Sequence, residues 1–275
     1  MNKAAKYKFL ETCIVLILML FLFPFFLEKR SYGLEQNHAE LYQKFSQSYQ
    51  KYQTLIDPFV TQKNQYLAYR SLQAQVDFLN SAKSLISAEV ESIVLYVQFL
   101  KSILAEATAV LNYRENYLYV NLDKELDYFL LQQTKVASLS SLGETKDFLK
   151  DLQSHYQNVS LFAYQVKAIV EIYSVDKTLG NLKTVSDKIE NYFGSQQNWE
   201  GNLHIDSAKE VFLKEKAELD KINIHLNTAR EYESKLSTRE RNKDIAKDLR
   251  REIDSCVDIL ERVNSSYLDV VNSLK

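Results

Sequence analysis

From Leu34 onward, apolar side chains return every third or fourth residue, the period that puts them on one face of an α-helix. Leu41, Phe45, Tyr52 and Leu55 form the first stripe, over Leu34 to Ile56. Asp57-Pro58 closes it, because a proline ring crowds the preceding residue out of helical geometry. From Phe59 to Val120 there is neither Gly nor Pro. There Leu72, Val76, Leu79, Ile86, Val90, Ile93, Val97, Leu100, Leu104, Ala107 and Leu111 keep heptad spacing, interrupted by Lys83. One continuous helix over that stretch would be about 90 Å long. Leu122, Leu126, Phe129 and Val136 mark a further helix, and Ser141-Leu142-Gly143-Glu144 has the form of a capping box that opens the next.

That next helix carries Phe148, Leu152, His155, Val159, Phe162, Val166, Ile169 and Tyr173 until Gly180, where a stop is expected, and a short helix follows to Phe193. Gly194 to Asp206 is the longest loop signal, and Ser207-Ala208-Lys209-Glu210 reads as a second capping box. The last stripe is the most regular: Ala246, Leu249, Ile253, Cys256, Leu260, Val263, Tyr267, Val270 and Leu274 hold heptad spacing. Such a seam needs a partner helix. The mixed-sign stretch Arg230 to Asp254 before and within it reads as a solvated helical face laced with i to i+3 and i+4 ion pairs. The sustained period predicts near-parallel packing at about 20°, hence an elongated antiparallel helical bundle or coiled-coil rod over 34–275.

Composition supports the same class. Strands and tight turns consume Gly and Pro, and 275 residues here hold five Gly and two Pro, so the expected fold is all-α. With 46% apolar and 25% charged residues the chain has the means to bury a core. A net charge of −2 with both signs interleaved gives no footprint for nucleic acid. The two cysteines, Cys13 and Cys256, sit in segments that cannot reach one another, so no disulfide framework is expected.

The N-terminus has a different pattern. Cys13 to Leu27 is free of charge, and extension back to Phe9 gives 19 residues, about 28 Å of helix against a ~30 Å hydrocarbon core. The segment 9–30, with Phe9, Cys13, Leu16, Leu20, Pro24 and Leu27 along it, is expected to be a transmembrane signal-anchor. Residues 1–8 are then a short cytoplasmic tail held inside by Lys3, Lys6 and Lys8. The helical body would lie outside the cytoplasmic membrane. A cleaved leader is the main rival reading, since Ser31-Tyr32-Gly33 offers small residues at the right spacing and would leave a secreted form; Glu28, Lys29 and Arg30 disfavour it, and an inverted anchor with the helical body facing the cytoplasm is the third.

Candidate chemistry is sparse. The sequence has no P-loop, GxGxxG, GxSxG, HExxH or CxxC, and His38, His155, His204 and His225 lie far apart. Glu35 and His38 form a single Glu-x-x-His, whereas helical di-metal sites require two such motifs and further carboxylates, so no metal or cofactor is expected. His155, one turn after Asp151, reads as a hydrogen-bonded core histidine, with a pH-sensitive packing switch as the alternative. Trp199, the sole tryptophan, is either an exposed anchor for a partner or a cap on the bundle end. Tyr113, Tyr117 and Tyr119 form either a contact patch or a packed aromatic group.

The expected function is therefore a non-enzymatic, membrane-anchored helical scaffold or interaction protein. Its partners would be the lipid bilayer and other protein helices, in a homo-oligomer or a multi-protein envelope assembly. Two alternatives stand beside it: an extracytoplasmic ligand-sensing bundle that signals through a partner, and a helical pore-forming protein.

Overall fold

The computed structural model describes residues 36–107, 113–195, 203–236 and 242–273. Every regular element among them is an α-helix: α1 Gln36–Thr54, α2 Ile56–Tyr69, α3 Leu72–Ala107, α4 Tyr113–Val136, α5 Leu142–Ser195, α6 Leu203–Lys235 and α7 Asn242–Ser273. No described helix is long and apolar enough to cross a membrane. The expected span through Phe9, Cys13, Leu16, Leu20, Pro24 and Leu27 lies outside the described residues, as does the tail before it.

The described chain divides into two compact units. Unit 1 takes the described residues up to Ile103 together with Tyr113–Ser160, and unit 2 takes the end of α3 from Leu104 and the described residues from Leu161 on.

Unit 1 is built around α3. Between Leu85 and Ile103 most side chains of this helix are buried, with Glu91 among the few that reach solvent, and a helix so enclosed is stable only when surrounded. Helix α1 runs antiparallel to it: Tyr42 meets Phe99, Phe45 meets Tyr96, Ser48 bonds Ser92 at 3.0 Å and Lys51 pairs with Glu91. Helix α4 is antiparallel as well, with Lys101 paired to Asp123 near one end. At the other end Lys83 donates to the carbonyls of Ala137 and Leu139 at 2.7 and 3.0 Å. The lysine that interrupts the heptad thus caps the end of α4. The first part of α5 returns beside α4.

The turn between α4 and α5 is the one the sequence encodes. The Ser141 hydroxyl accepts the N–H of Glu144 at 3.2 Å, and the Glu144 carboxylate accepts the N–H of Ser140 at 2.8 Å. The box therefore closes one residue earlier than its usual form, and these bonds hold the Glu144 carboxyl below the ordinary carboxylate range.

Unit 2 is an up-down-up bundle of α5 from Leu161, α6 and α7. Asp176 pairs with Arg230 and Glu190 with Lys216, so α5 and α6 are antiparallel. His225 pairs with Glu252 and Glu218 with Arg262, so α6 and α7 are antiparallel too. Glu171 to Arg250 and Ser186 to Tyr267 rise together, which makes α5 and α7 parallel. Leu249, Ile253, Cys256, Leu260, Val263, Tyr267 and Val270 of α7 are buried against Leu179, Leu182, Phe212, Leu219, Ile222 and Leu226. The seam finds its partner helices within its own chain. Leu274 lies outside the described residues.

Four expectations are corrected. The stretch Phe59 to Val120 is not one helix: it breaks at Arg70, which has φ 49°, and α4 starts anew at Tyr113. Its register also differs at the start, since Leu72 and Val76 are exposed while Phe78 and Ala82 are buried. Gly180 does not end a helix but sits inside the 54-residue α5, where packing on both sides outweighs the ~1 kcal/mol cost of a helical glycine. Ser207 lies within α6, which begins at Leu203, so its capping motif is not used. The charged stretch from Arg230 is interrupted between Lys235 and Asn242, and two of its arginines, Arg230 and Arg250, reach across to α5 instead of pairing only along their own helix.

Candidate functional site

The densest polar grouping lies in the core of unit 1, where α3, α4 and α5 come together. Periodicity places Glu125 on the inner face of α4, and His155 and Asn158 on the facing side of α5. His155 Nδ1 is 2.6 Å from Glu125 Oε2, and Asn158 Nδ2 donates to Glu125 Oε1 at 2.8 Å. The imidazole lies flat on the Tyr128 ring, centroids 3.4 Å apart, with Phe129 at its edge. Both oxygens of a buried carboxylate are thus engaged, which is the condition for keeping a charge inside a helical bundle. Burial, with Asp151 and Glu125 nearby, raises the Tyr128 hydroxyl above its usual range.

The next residue along α5, Tyr156, faces Glu89 of the central helix. Glu89 is enclosed, and loss of hydration pushes its carboxyl up to about 8, with the Tyr156 hydroxyl pulling slightly the other way. The two groups are near neighbours, yet Glu89 Oε1 and Tyr156 Oη complete no hydrogen bond of ordinary geometry. Burial first, then the neighbouring Glu89, Tyr52 and Tyr128, drives the Tyr156 hydroxyl well above its normal value. Burial thus favours the uncharged form of both groups.

The cluster can therefore hold a neutral carboxylic acid and a neutral phenol in apolar surroundings, beside a histidine whose ring is fixed by a carboxylate. A carboxylate-bound imidazole is the arrangement that orients a histidine for proton transfer or ligation. Among the described residues no group of three His, Cys, Asp or Glu side chains lies close enough to hold a metal ion.

The residues singled out from sequence do not gather here, with the exception of His155. Its partner is Glu125 on the next helix, not Asp151 on its own. Trp199 lies outside the described residues, and so does Glu35, while His38 is buried near the start of α1. Tyr113 opens α4. Tyr117 and Tyr119 are two positions apart and so diverge: Tyr117 is 59% exposed, whereas Tyr119 is half-buried under the ammonium of Lys101 at 4.8 Å. Sequence reasoning missed Glu89 and Glu125. A signal for Glu89 existed, because it shares the inner face with Ile86, Val90 and Ile93, where a carboxylate has no wet side to occupy.

Unit 2 holds a second His–Glu link, His225 Nδ1 to Glu252 Oε2 at 2.7 Å, and a buried Glu171 that accepts from Arg250 at 2.8 Å. No protein-family model, curated protein or solved structure matches the chain.

Proposed function

We propose that this chain is a non-enzymatic, membrane-anchored helical scaffold that joins an oligomeric or multi-protein assembly through helix-to-helix contacts. The observation that carries the reading is a set of exposed apolar side chains on one side of α4, with Lys124 among them. Tyr117, Val120 and Leu131 are all exposed, and a helical period of 3.6 brings them onto one side. A face of that kind suits a partner helix. The charge-free run Cys13 to Leu27 supplies the tether, with the N-terminus in the cytoplasm.

Alkaline extraction of native membranes tests the tether, and a photo-crosslinking residue at Tyr117 tests the contact. The full chain should stay in the membrane pellet, a chain without residues 1–30 should leave it, and position 117 should yield a protein adduct. A monomer that gives no adduct, or a mature chain beginning near Leu34, would overturn the proposal.

A ligand-sensing bundle acting through a partner is the second reading. It is favoured by Glu89 Oε1 and Tyr156 Oη, two buried polar atoms without a hydrogen bond.

A further inference from the structure

The first part of α5, from Leu142 to Ser160, belongs to unit 1 and docks there through Leu152, Tyr156 and Val159, all buried. Its polar links to other helices start from adjacent residues and diverge. His155 reaches Glu125 of α4 at 2.6 Å, Asn158 donates to the second oxygen of the same carboxylate at 2.8 Å, and Tyr156 faces Glu89 of α3. Successive helical residues point about 100° apart, so one turn of α5 is set between carboxyl groups on two different helices. Both carboxyls are enclosed.

The other seams of unit 1 are built from different groups. Helix α1 meets α3 through ring contacts, the Ser48 and Ser92 hydroxyls and the Lys51–Glu91 pair. Helix α3 meets α4 through the Lys101–Asp123 pair and through Lys83 on the carbonyls of Ala137 and Leu139. Hydroxyls, rings and ammonium–carboxylate pairs are side-chain types whose ordinary titration falls outside about pH 5–9. The α5 seams rest instead on an imidazole and on a carboxyl.

Among the described residues no cation stands opposite Glu89. The groups that bear on it and on Tyr156 are Tyr52 of α1 and Tyr128 of α4, and those beside Tyr128 are Glu125 of α4 with Asp151 and His155 of α5. The one base in that set is His155, which is engaged by Glu125 and forms an ion pair with it only while protonated. Ionised Glu89 would be a carboxylate in apolar surroundings without a counter-charge, and a deprotonated imidazole would leave Glu125 with hydrogen bonds and no ion pair. Both losses come with rising pH, and both fall on α5. Lifting this part of α5 admits water to Glu89 while the α1–α3 and α3–α4 contacts stay intact.

We infer that the segment from Leu142 to Ser160 is a proton-held latch, docked while Glu89 is protonated and His155 is paired with Glu125, and released from α3 and α4 as the solution turns alkaline while the rest of unit 1 stays folded. The latch does not depend on the proposed tether or on the exposed side of α4. Burial sets its window, since the enclosed Glu89 carboxyl is pushed up to about 8 and a water-exposed one returns to the ordinary 4.5. The docked form therefore holds a proton that the released form gives up, and release becomes easier by about tenfold per pH unit inside that window.

The test is amide hydrogen exchange of the full chain in an uncharged detergent, read by mass spectrometry at intervals from pH 6 to pH 8, with each peptide referred to its own exchange in the unfolded chain at the same pH. Peptides from 142–160 should be less protected than those of α1 and α3 at every pH, and their protection should fall roughly fiftyfold across the range. Glu89→Gln should reduce that fall to a few-fold, and adding His155→Asn should remove the remainder. Tyr156→Phe, which keeps the Glu89 carboxyl, should retain the fall. Protection of 142–160 that does not change with pH would overturn the inference, as would a fall of the same size in Glu89→Gln. Protection equal to that of α1 and α3 throughout would overturn it too, because the charge would then melt unit 1 as a whole. The profile of the native chain decides the first and last of these without any variant.

Discussion

Glu89 of α3 and Tyr156 of α5 face one another in the centre of unit 1, each enclosed and each short of a hydrogen bond. Such a pair is costly in a core, and its cost depends on pH. In the unfolded chain Glu89 ionises near the ordinary 4.5, and in the folded chain near 8. The folded state therefore holds a proton that the unfolded state releases across that window. The stabilisation from Glu89 is complete below pH 4.5 and is lost by about 1.4 kcal/mol per pH unit as pH rises toward 8. Glu89→Gln keeps the shape without the titration. Its advantage over the native chain, read from urea midpoints, should grow by the equivalent of about 3–4 kcal/mol between pH 5 and pH 8. A difference that stays constant with pH would disprove this account.

The Glu125 clamp makes a second prediction. Alanine at His155 removes one of two donors from a buried carboxylate and should cost about 2 kcal/mol. A double-mutant cycle of His155→Ala with Glu125→Ala should return a coupling of about 1 kcal/mol or more, measured by denaturant unfolding. Additive effects would show that the two residues act independently.

In unit 2 the contrast lies between neighbours on one helix. Leu226 is buried among α5, α6 and α7, and Ile224 is 67% exposed. Leu226→Ala should destabilise by about 2–5 kcal/mol and Ile224→Ala by no more than about 0.5 kcal/mol. Calorimetry of the two variants checks the placement of α6.

Arg70→Gly should raise stability by about 0.5–1 kcal/mol, since glycine adopts positive φ without the clash that an arginine Cβ meets. Thermal unfolding should improve, and a loss of stability would argue against the assigned backbone conformation.

The sequence conveyed helices and their inner faces better than it conveyed where they turn. The seam from Leu249 to Val270 was legible because every core position is apolar and evenly spaced, and Ser141 to Glu144 because a capping box is a local code. The Arg70 turn was hidden because neither Gly nor Pro marks it; a left-handed arginine is set by the docking of Phe59 and Tyr66 onto Phe78, a tertiary effect. Gly180 misled for the opposite reason, since burial on either side carries α5 through it. The polar cluster was half visible. His155 could be placed on an inner face, but its partner Glu125 is 30 residues away, and spacing along one helix says nothing about a neighbour on another.

Cys256 offers a practical consequence. Its sulfur is wholly enclosed between α6 and α7, near the Ile222 carbonyl, and burial pushes the thiol up to about 11. While unit 2 is closed, alkylating reagents at neutral pH have neither access to the sulfur nor a thiolate to attack. With Cys13 replaced by Ser, the rate of maleimide capture at Cys256 becomes an intrinsic clock for how often the three helices separate, with no probe added to the protein.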